Sequence, residues 1–163
     1  MHQTNQDHLP WAEERSPKGK FCVHRKHISL ALGGVKDMGI AGGGHPFDVE
    51  LTRVPPGAVN WPFHSHAAQW ELFIILGGCG EARTSEGVVS VAAGDCLLFQ
   101  PGEAHQLTNT GDADLLYYVV TDQPAADVMF YPDSDKWFVK PQRKIFRMRE
   151  VDYYDKEDTT PVA

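Results

Sequence analysis

An all-β fold is what this chain predicts, on three observations. Between residues 48 and 121 the apolar residues fall in short runs rich in Val, Ile, Leu, Phe and Tyr, and each run is closed by a Gly-, Pro- or Asp-containing turn. No part of that stretch carries helical spacing over a useful length. With no helices between them, successive short strands argue for a sandwich or barrel rather than a parallel α/β sheet.

Residues 1–20 are polar, with Pro10 and Ser16-Pro17-Lys18-Gly19 as turn signals. Residues 21–32 alternate weakly and suit an edge strand. Gly33-Gly34 and Gly42-Gly43-Gly44 then break the chain into loops, and residues 48–54 form the next candidate strand. Pro55-Pro56-Gly57 turns the chain. Residues 71–76 (Glu-Leu-Phe-Ile-Ile-Leu) read as a central strand that bends at Gly77-Gly78-Cys79-Gly80. Residues 81–84 and 88–92 read as a hairpin about Ser85-Glu86-Gly87. Strands at 96–99, 105–109 and 115–121 complete the series. After Pro124 the character changes: 125–130 suits a short helical turn and 131–135 a turn. Trp137-Phe138-Val139 is an apolar patch in a basic stretch that must dock elsewhere, by preference on a second subunit. The acidic end, 152–158, is expected to fray. The division expected is an arm at 1–36, a barrel at 37–123 and an extension at 124–163.

Composition narrows the function classes. The chain has 163 residues, 42% of them hydrophobic and 23% charged, which suits one globular domain with extensions. It has no apolar run of about 18 residues, so no spanning helix is expected. The first residues have neither a basic start nor an apolar stretch, so no signal peptide is expected either. Cys22, Cys79 and Cys96 are odd in number and lack CxxC spacing, which reads as free thiols in the cytoplasm. The net charge of −7 is uneven. Residues 1–36 hold six bases and three acids, residues 37–135 two bases and fourteen acids, and residues 136–163 seven bases and five acids. An acidic body with basic arms is a poor nucleic-acid binder. The arms either lie against an acidic barrel, their own or a partner's, or are solvated tails.

The residues that carry chemistry are His64-Ser65-His66, then Glu71, then His105. Three imidazoles and a carboxylate form a mixed nitrogen/oxygen donor set suited to a divalent transition metal. In a strand His64 and His66 point the same way and grip one ion together. In a helix they would stand roughly 200° apart.

These residues sit in a pattern that resembles the cupin superfamily. Gly57, His64, His66, Glu71 and Gly78 follow its first motif, with one extra residue between Gly57 and His64. Gly94, Gly102, His105 and Asn109 follow its second, with Pro101 one place late and Gln100 in its usual position. Fifteen residues separate Gly78 from Gly94, the short spacer of microbial single-domain cupins. The resemblance implies a double-stranded β-helix, a jelly-roll barrel. In it His64, His66, Glu71 and His105 bind one metal (Fe, Mn, Ni, Zn or Cu). It also implies a homodimer.

Four protein ligands leave open positions on an octahedral ion for water, substrate or dioxygen. Alternation from Glu71 turns Phe73 and Ile75 to the metal face, and from His105 it turns Leu107 and Asn109 inward. Glu50 and Thr52 share one face of their strand. Arg83, if its strand continues through the glycine bend, points inward with Glu71 and anchors a substrate carboxylate or phosphate. Phe73, Ile75, Asn109, Glu50 and Arg83 are thus the candidate small-molecule contacts. Trp61, Phe63 and Trp70 flank the ligands. No general base is identified. Cupins of this look are often labelled sugar-phosphate isomerases, which implies carbonyl polarisation in a sugar, sugar phosphate or small organic acid. A metal-dependent dioxygenase or decarboxylase and a non-catalytic ligand-binding cupin are the alternatives. A phosphate substrate would need the basic arms to close over the barrel mouth.

Overall fold

The structure, a computed structural model, describes residues 1–157. Thirteen strands and one single-turn α-helix, besides three short 3-10 turns, are formed among them. They are β1 (Ala12–Arg15), β2 (Cys22–His27), α1 (Ile28–Ala31), β3 (Phe47–Val54), β4 (Ser65–His66), β5 (Glu71–Gly77), β6 (Cys79–Thr84) and β7 (Gly87–Ala92), then β8 (Cys96–Phe99), β9 (His105–Asn109), β10 (Leu115–Asp122), β11 (Asp127–Tyr131), β12 (Lys136–Lys140) and β13 (Lys144–Phe146). The all-β expectation holds.

The strands form three antiparallel sheets. One runs β1-β2-β3-β10-β5-β8, a second runs β13-β12-β11-β4, and a third runs β7-β6-β9. The core lies between the first and third. The large sheet gives Val23, Val54, Phe73, Ile75, Phe99, Leu115 and Tyr117, and the small one Ala82, Val91 and Leu107, all buried. Each such side chain contributes roughly 1.5–3 kcal/mol by leaving water. Alternation sets which residues face inward. Along β3, β10 and β5 the registers bring Asp48, Thr121 and Glu71 into one row, and Glu50, Val119 and Phe73 into the next.

Four expectations change. The polar segment 1–20 contains β1, which takes the sheet edge. The expected strand at 21–32 stops at His27, where α1 turns the chain and the Ser29 hydroxyl accepts a 2.7 Å bond from the Val49 amide. The expected helical turn at 125–130 is strand β11, because a Val-Met-Phe-Tyr run finds a partner in β4. The basic arms pair with their own barrel: β2 pairs with β3, and β12 pairs with β11. Residues 153–157 form turns, and Asp158 lies outside the described residues.

The glycine bend is sharper than continuation of one strand allows. Gly78 takes φ +77°, and a Cβ there would meet the Asp114 carbonyl oxygen at 2.4 Å. That left-handed residue resets the alternation. Inward positions are odd along β5 (Phe73, Ile75) and even along β6 (Gly80, Ala82). Arg83 therefore faces outward.

Candidate metal centre

His64 and His105 stand directly opposite one another and exchange both backbone hydrogen bonds, His64 N to His105 O at 3.3 Å and His105 N to His64 O at 2.9 Å. His66 lies two residues on, on the same face, paired across to Met129 of β11. Glu71 opens β5 between Phe99 and Thr121. The three imidazoles are buried, and their ring centroids lie 4.8–6.4 Å apart. His64, His66 and Glu71 each present a ligand atom, all within 4.8 Å of one another. His105 joins them through Glu71, its Nε2 being 2.7 Å from Oε2.

The second nitrogen of every ring is committed. His64 Nδ1 lies 2.8 Å from the Pro62 carbonyl oxygen, His105 Nδ1 3.1 Å from the Glu103 carbonyl oxygen, and His66 Nδ1 2.5 Å from Asp127 Oδ2. For His64 and His66 the acceptor holds a proton on Nδ1 and leaves the Nε2 lone pair turned inward, the tautomer a metal needs, whereas His105 Nε2 donates to the Glu71 carboxylate. His66 Nε2 is buried with no hydrogen-bond partner. An orphaned imidazole nitrogen facing a carboxylate and two more imidazoles is a donor set that fits a divalent transition ion.

The electrostatics agree. Burial pushes the Glu71 carboxyl up, but the bond from His105 and the surrounding imidazoles outweigh it and hold it well below the usual carboxylate range. Burial, reinforced by His105, lowers His64 to about 3, so it stays neutral. Burial would raise Asp127, yet its bond to His66 keeps it low and ionised.

A pocket of about 270 Å³ opens over this cluster. Phe73 and Trp61 supply apolar wall from the barrel, and Met129, Tyr131 and Phe138 supply it from the C-terminal strands. Tyr131 stacks on His64 at 5.7 Å between centroids. Burial lifts its phenol to about 12, so it remains a hydrogen-bond donor. Polar wall comes from β3. Glu50 is held low, against burial, by His27, Lys36 and Arg25. Asp48 is raised, by burial and by the Glu50 charge beside it. Four basic residues of the arms, Arg25, Lys36, Lys140 and Arg143, complete the mouth.

The structure brings all four expected metal ligands together, and it sorts the expected small-molecule contacts. Phe73 and Glu50 line the pocket. Ile75 does not: it is 1% exposed in the core beneath. Asn109 is a structural residue whose amide donates to the Val54 and Ala113 carbonyls at 2.7 and 2.8 Å. Arg83 lies outside, its guanidinium paired with both oxygens of Asp133 and packed 3.9 Å over Phe63. Trp61 is in the lining, Phe63 is buried and Trp70 is exposed. Sequence reasoning missed Asp127, Met129 and Tyr131, which share one face of β11. The signal was there in the β-prone run between Pro124 and Pro132.

The Cupin domain family matches residues 50–121. An oxalate-binding protein of Thermotoga maritima is 34% identical over 68 residues, 42% of this chain and 55% of that protein. Auxin-binding protein 1 of Arabidopsis thaliana is 27% identical over 119 residues, 65% of this chain and 58% of that protein. The chain thus spans little more than half the length of these curated relatives. Among solved structures, a sugar phosphate isomerase of the cupin superfamily from Silicibacter pomeroyi superposes with a TM-score of 0.72 at 22% identity, covering 99% of this chain and 96% of that chain. At that identity the likeness concerns the fold.

Proposed function

Residues 50–121 form a cupin domain, and from that premise we propose that this protein is a metal-dependent enzyme acting on a small oxygenated molecule: a sugar, a sugar phosphate or a small organic acid. His64, His66, Glu71 and His105 hold one divalent ion of Fe, Mn, Ni, Zn or Cu. The observation that carries the reading is the partnerless, buried His66 Nε2 with Asp127 behind its ring. Once bound, such an ion supplies a Lewis acid for a ligand carbonyl or hydroxyl oxygen.

The chain's own residues do the rest. Phe73, Trp61, Met129 and Phe138 keep bulk water from the reacting atoms. Tyr131 offers its O–H beside His64. Asp48, whose carboxyl is raised by burial and by the Glu50 charge, is the pocket acid placed to hold and pass a proton. Such a set serves proton transfer next to a polarised carbonyl, which is isomerase chemistry. Two relatives named for oxalate and auxin, both carboxylic acids, support a second reading as an acid-binding cupin or decarboxylase.

The test is elemental analysis of the purified protein beside a His64→Ala/His105→Ala variant. Near-stoichiometric metal in the native protein and none in the variant supports the site, and no metal after reconstitution overturns it. Isomerase chemistry then predicts exchange of a substrate C–H proton with solvent in the absence of oxygen, whereas oxygenase chemistry predicts oxygen uptake. The reading includes a homodimer, tested by light scattering, and a cytoplasmic setting, which the free thiols of Cys22, Cys79 and Cys96 support. No nucleic-acid role is included, because Arg25, Lys36, Lys140 and Arg143 are spent on internal pairs. Among the described residues no helix is long and apolar enough to cross a membrane.

A further inference from the structure

Between α1 and β3 runs a glycine-rich loop, residues 33–46, with Asp37 near its start. Asp37 takes φ +60°, a conformation few non-glycine residues adopt. Its carboxylate holds two cations of the C-terminal hairpin. Lys140 Nζ lies 3.3 Å from Oδ1, and Arg143 pairs with Oδ2. All three residues line the mouth of the pocket. Next to Asp37, Lys36 reaches Glu50 at 2.8 Å and anchors the loop to the pocket wall.

Lys140 is a positioned cation rather than a swinging one. Its side chain is only 14% exposed, and its ammonium also donates to Gln69 Oε1 at 3.1 Å. The Gln69 amide in turn donates to the Asp122 carbonyl at 2.6 Å and to Thr121 Oγ1 at 3.3 Å. Thr121 stands directly across from Glu71 in the sheet. A held ammonium thereby stands in the pocket wall, linked to the strand position opposite Glu71 through Gln69 and Thr121. Two cations converging on a single carboxylate within a ligand pocket form an anion-binding geometry already occupied by a residue of the chain.

We propose that Lys140 and Arg143 form the subsite for the anionic group of this pocket's ligand, a carboxylate or a phosphate, and that the Asp37 carboxylate masks it until the ligand displaces it. The ligand then has two poles: oxygen atoms at the imidazole cluster, and an anionic group at the mouth of the same pocket. Displacement frees the loop at Asp37 while Lys36 keeps its hold on Glu50. The two-pole reading rests on the small-molecule reading above; the subsite itself does not need the metal.

The experiment is calorimetric titration of inorganic phosphate into chelator-treated protein, so that no ion takes part. Asp37→Gly removes the charge and suits the positive φ, and Asp37→Asn removes the charge alone. Each variant is expected to bind phosphate about tenfold tighter than the wild type, with steeper salt dependence. Adding Lys140→Gln to either variant should abolish the gain. A phosphate affinity within twofold of wild type in a folded Asp37→Gly protein overturns the proposal, as does a gain that survives Lys140→Gln. Malate and ribose 5-phosphate, titrated into metal-loaded Asp37→Gly with ribose as the uncharged control, then distinguish carboxylate from phosphate. Equal binding of ribose and both anions also overturns it. Failure of the metal analysis with the phosphate result intact removes the metal reading alone.

Discussion

Replacing Asp127 by Asn tests the least visible part of the site. The residue is not one of the four candidate ligands, yet its carboxylate sits 2.5 Å from His66 Nδ1 with both groups nearly out of water. A hydrogen bond to a charged acceptor contributes roughly 1.5–3 kcal/mol, about twice a neutral one. The asparagine amide can also turn its NH2 towards Nδ1, which moves the ring proton to Nε2 and disables that nitrogen as a ligand. Either route costs about 1.4–2.7 kcal/mol, a 10- to 100-fold weaker metal affinity. Asp127 Oδ1 also accepts the Ala68 amide at 2.9 Å, a bond the asparagine oxygen can keep, so the fold should survive. Competition against a chelator of known affinity gives the constant, and circular dichroism checks the fold. A folded Asp127→Asn protein whose metal affinity stays within twofold of wild type would show that His66 is not held by Asp127, or is not a ligand.

Three further outcomes are expected. His64 falls from an ordinary value of about 6.5 to about 3 on folding, so between those values the unfolded chain binds more protons and stability drops as pH falls. From pH 7 to pH 5 this amounts to about 2 kcal/mol in metal-free protein, and His64→Gln should flatten the denaturation midpoints by that amount. Gly78→Ala drives a Cβ into the Asp114 carbonyl at a positive φ and should lower the melting temperature by roughly 5–10 °C. Gly57→Ala, with nothing within 4 Å, should lower it less; equal losses would refute the steric argument. Arg83→Ala removes an exposed ion pair and should change stability by no more than about 1 kcal/mol, leaving metal affinity within twofold. A large loss of metal affinity would return Arg83 to the site.

The candidate metal cluster and most of the sheet were legible because their signals are local. A period-two run such as 71–76 identifies a strand without reference to the rest of the chain, and His64, His66, Glu71 and His105 keep ligand chemistry at recognisable spacings. What stayed hidden depends on pairing. Residues 125–130 read as a short helical turn until β12 and β4 supply partners, and only against β4 does Asp127 meet His66. Arg83 was misplaced because strand parity was carried through Gly78, where one left-handed residue exchanges the inner and outer faces. Ile75 shares a face with Phe73, as alternation requires, but face alone does not tell depth, and the pocket ends one residue pair above it. The arms were ambiguous in charge alone; backbone pairing decided which barrel they cover.

Among the described residues the two-residue strand β4 pairs as a strand with β11 alone, whose Asp127 the chain supplies 61 residues after His66. During synthesis all four candidate ligands emerge before the strand that steadies one of them. A nascent chain that has delivered His105 can pair His105 with His64 and bond the Gly102 amide to the His66 carbonyl, but the His66 ring has no carboxylate behind it until Asp127 arrives. An ion held by this cluster would gain its full support only once β11 has been made, and a ribosome stalled between the two would carry the four residues without Asp127 behind His66.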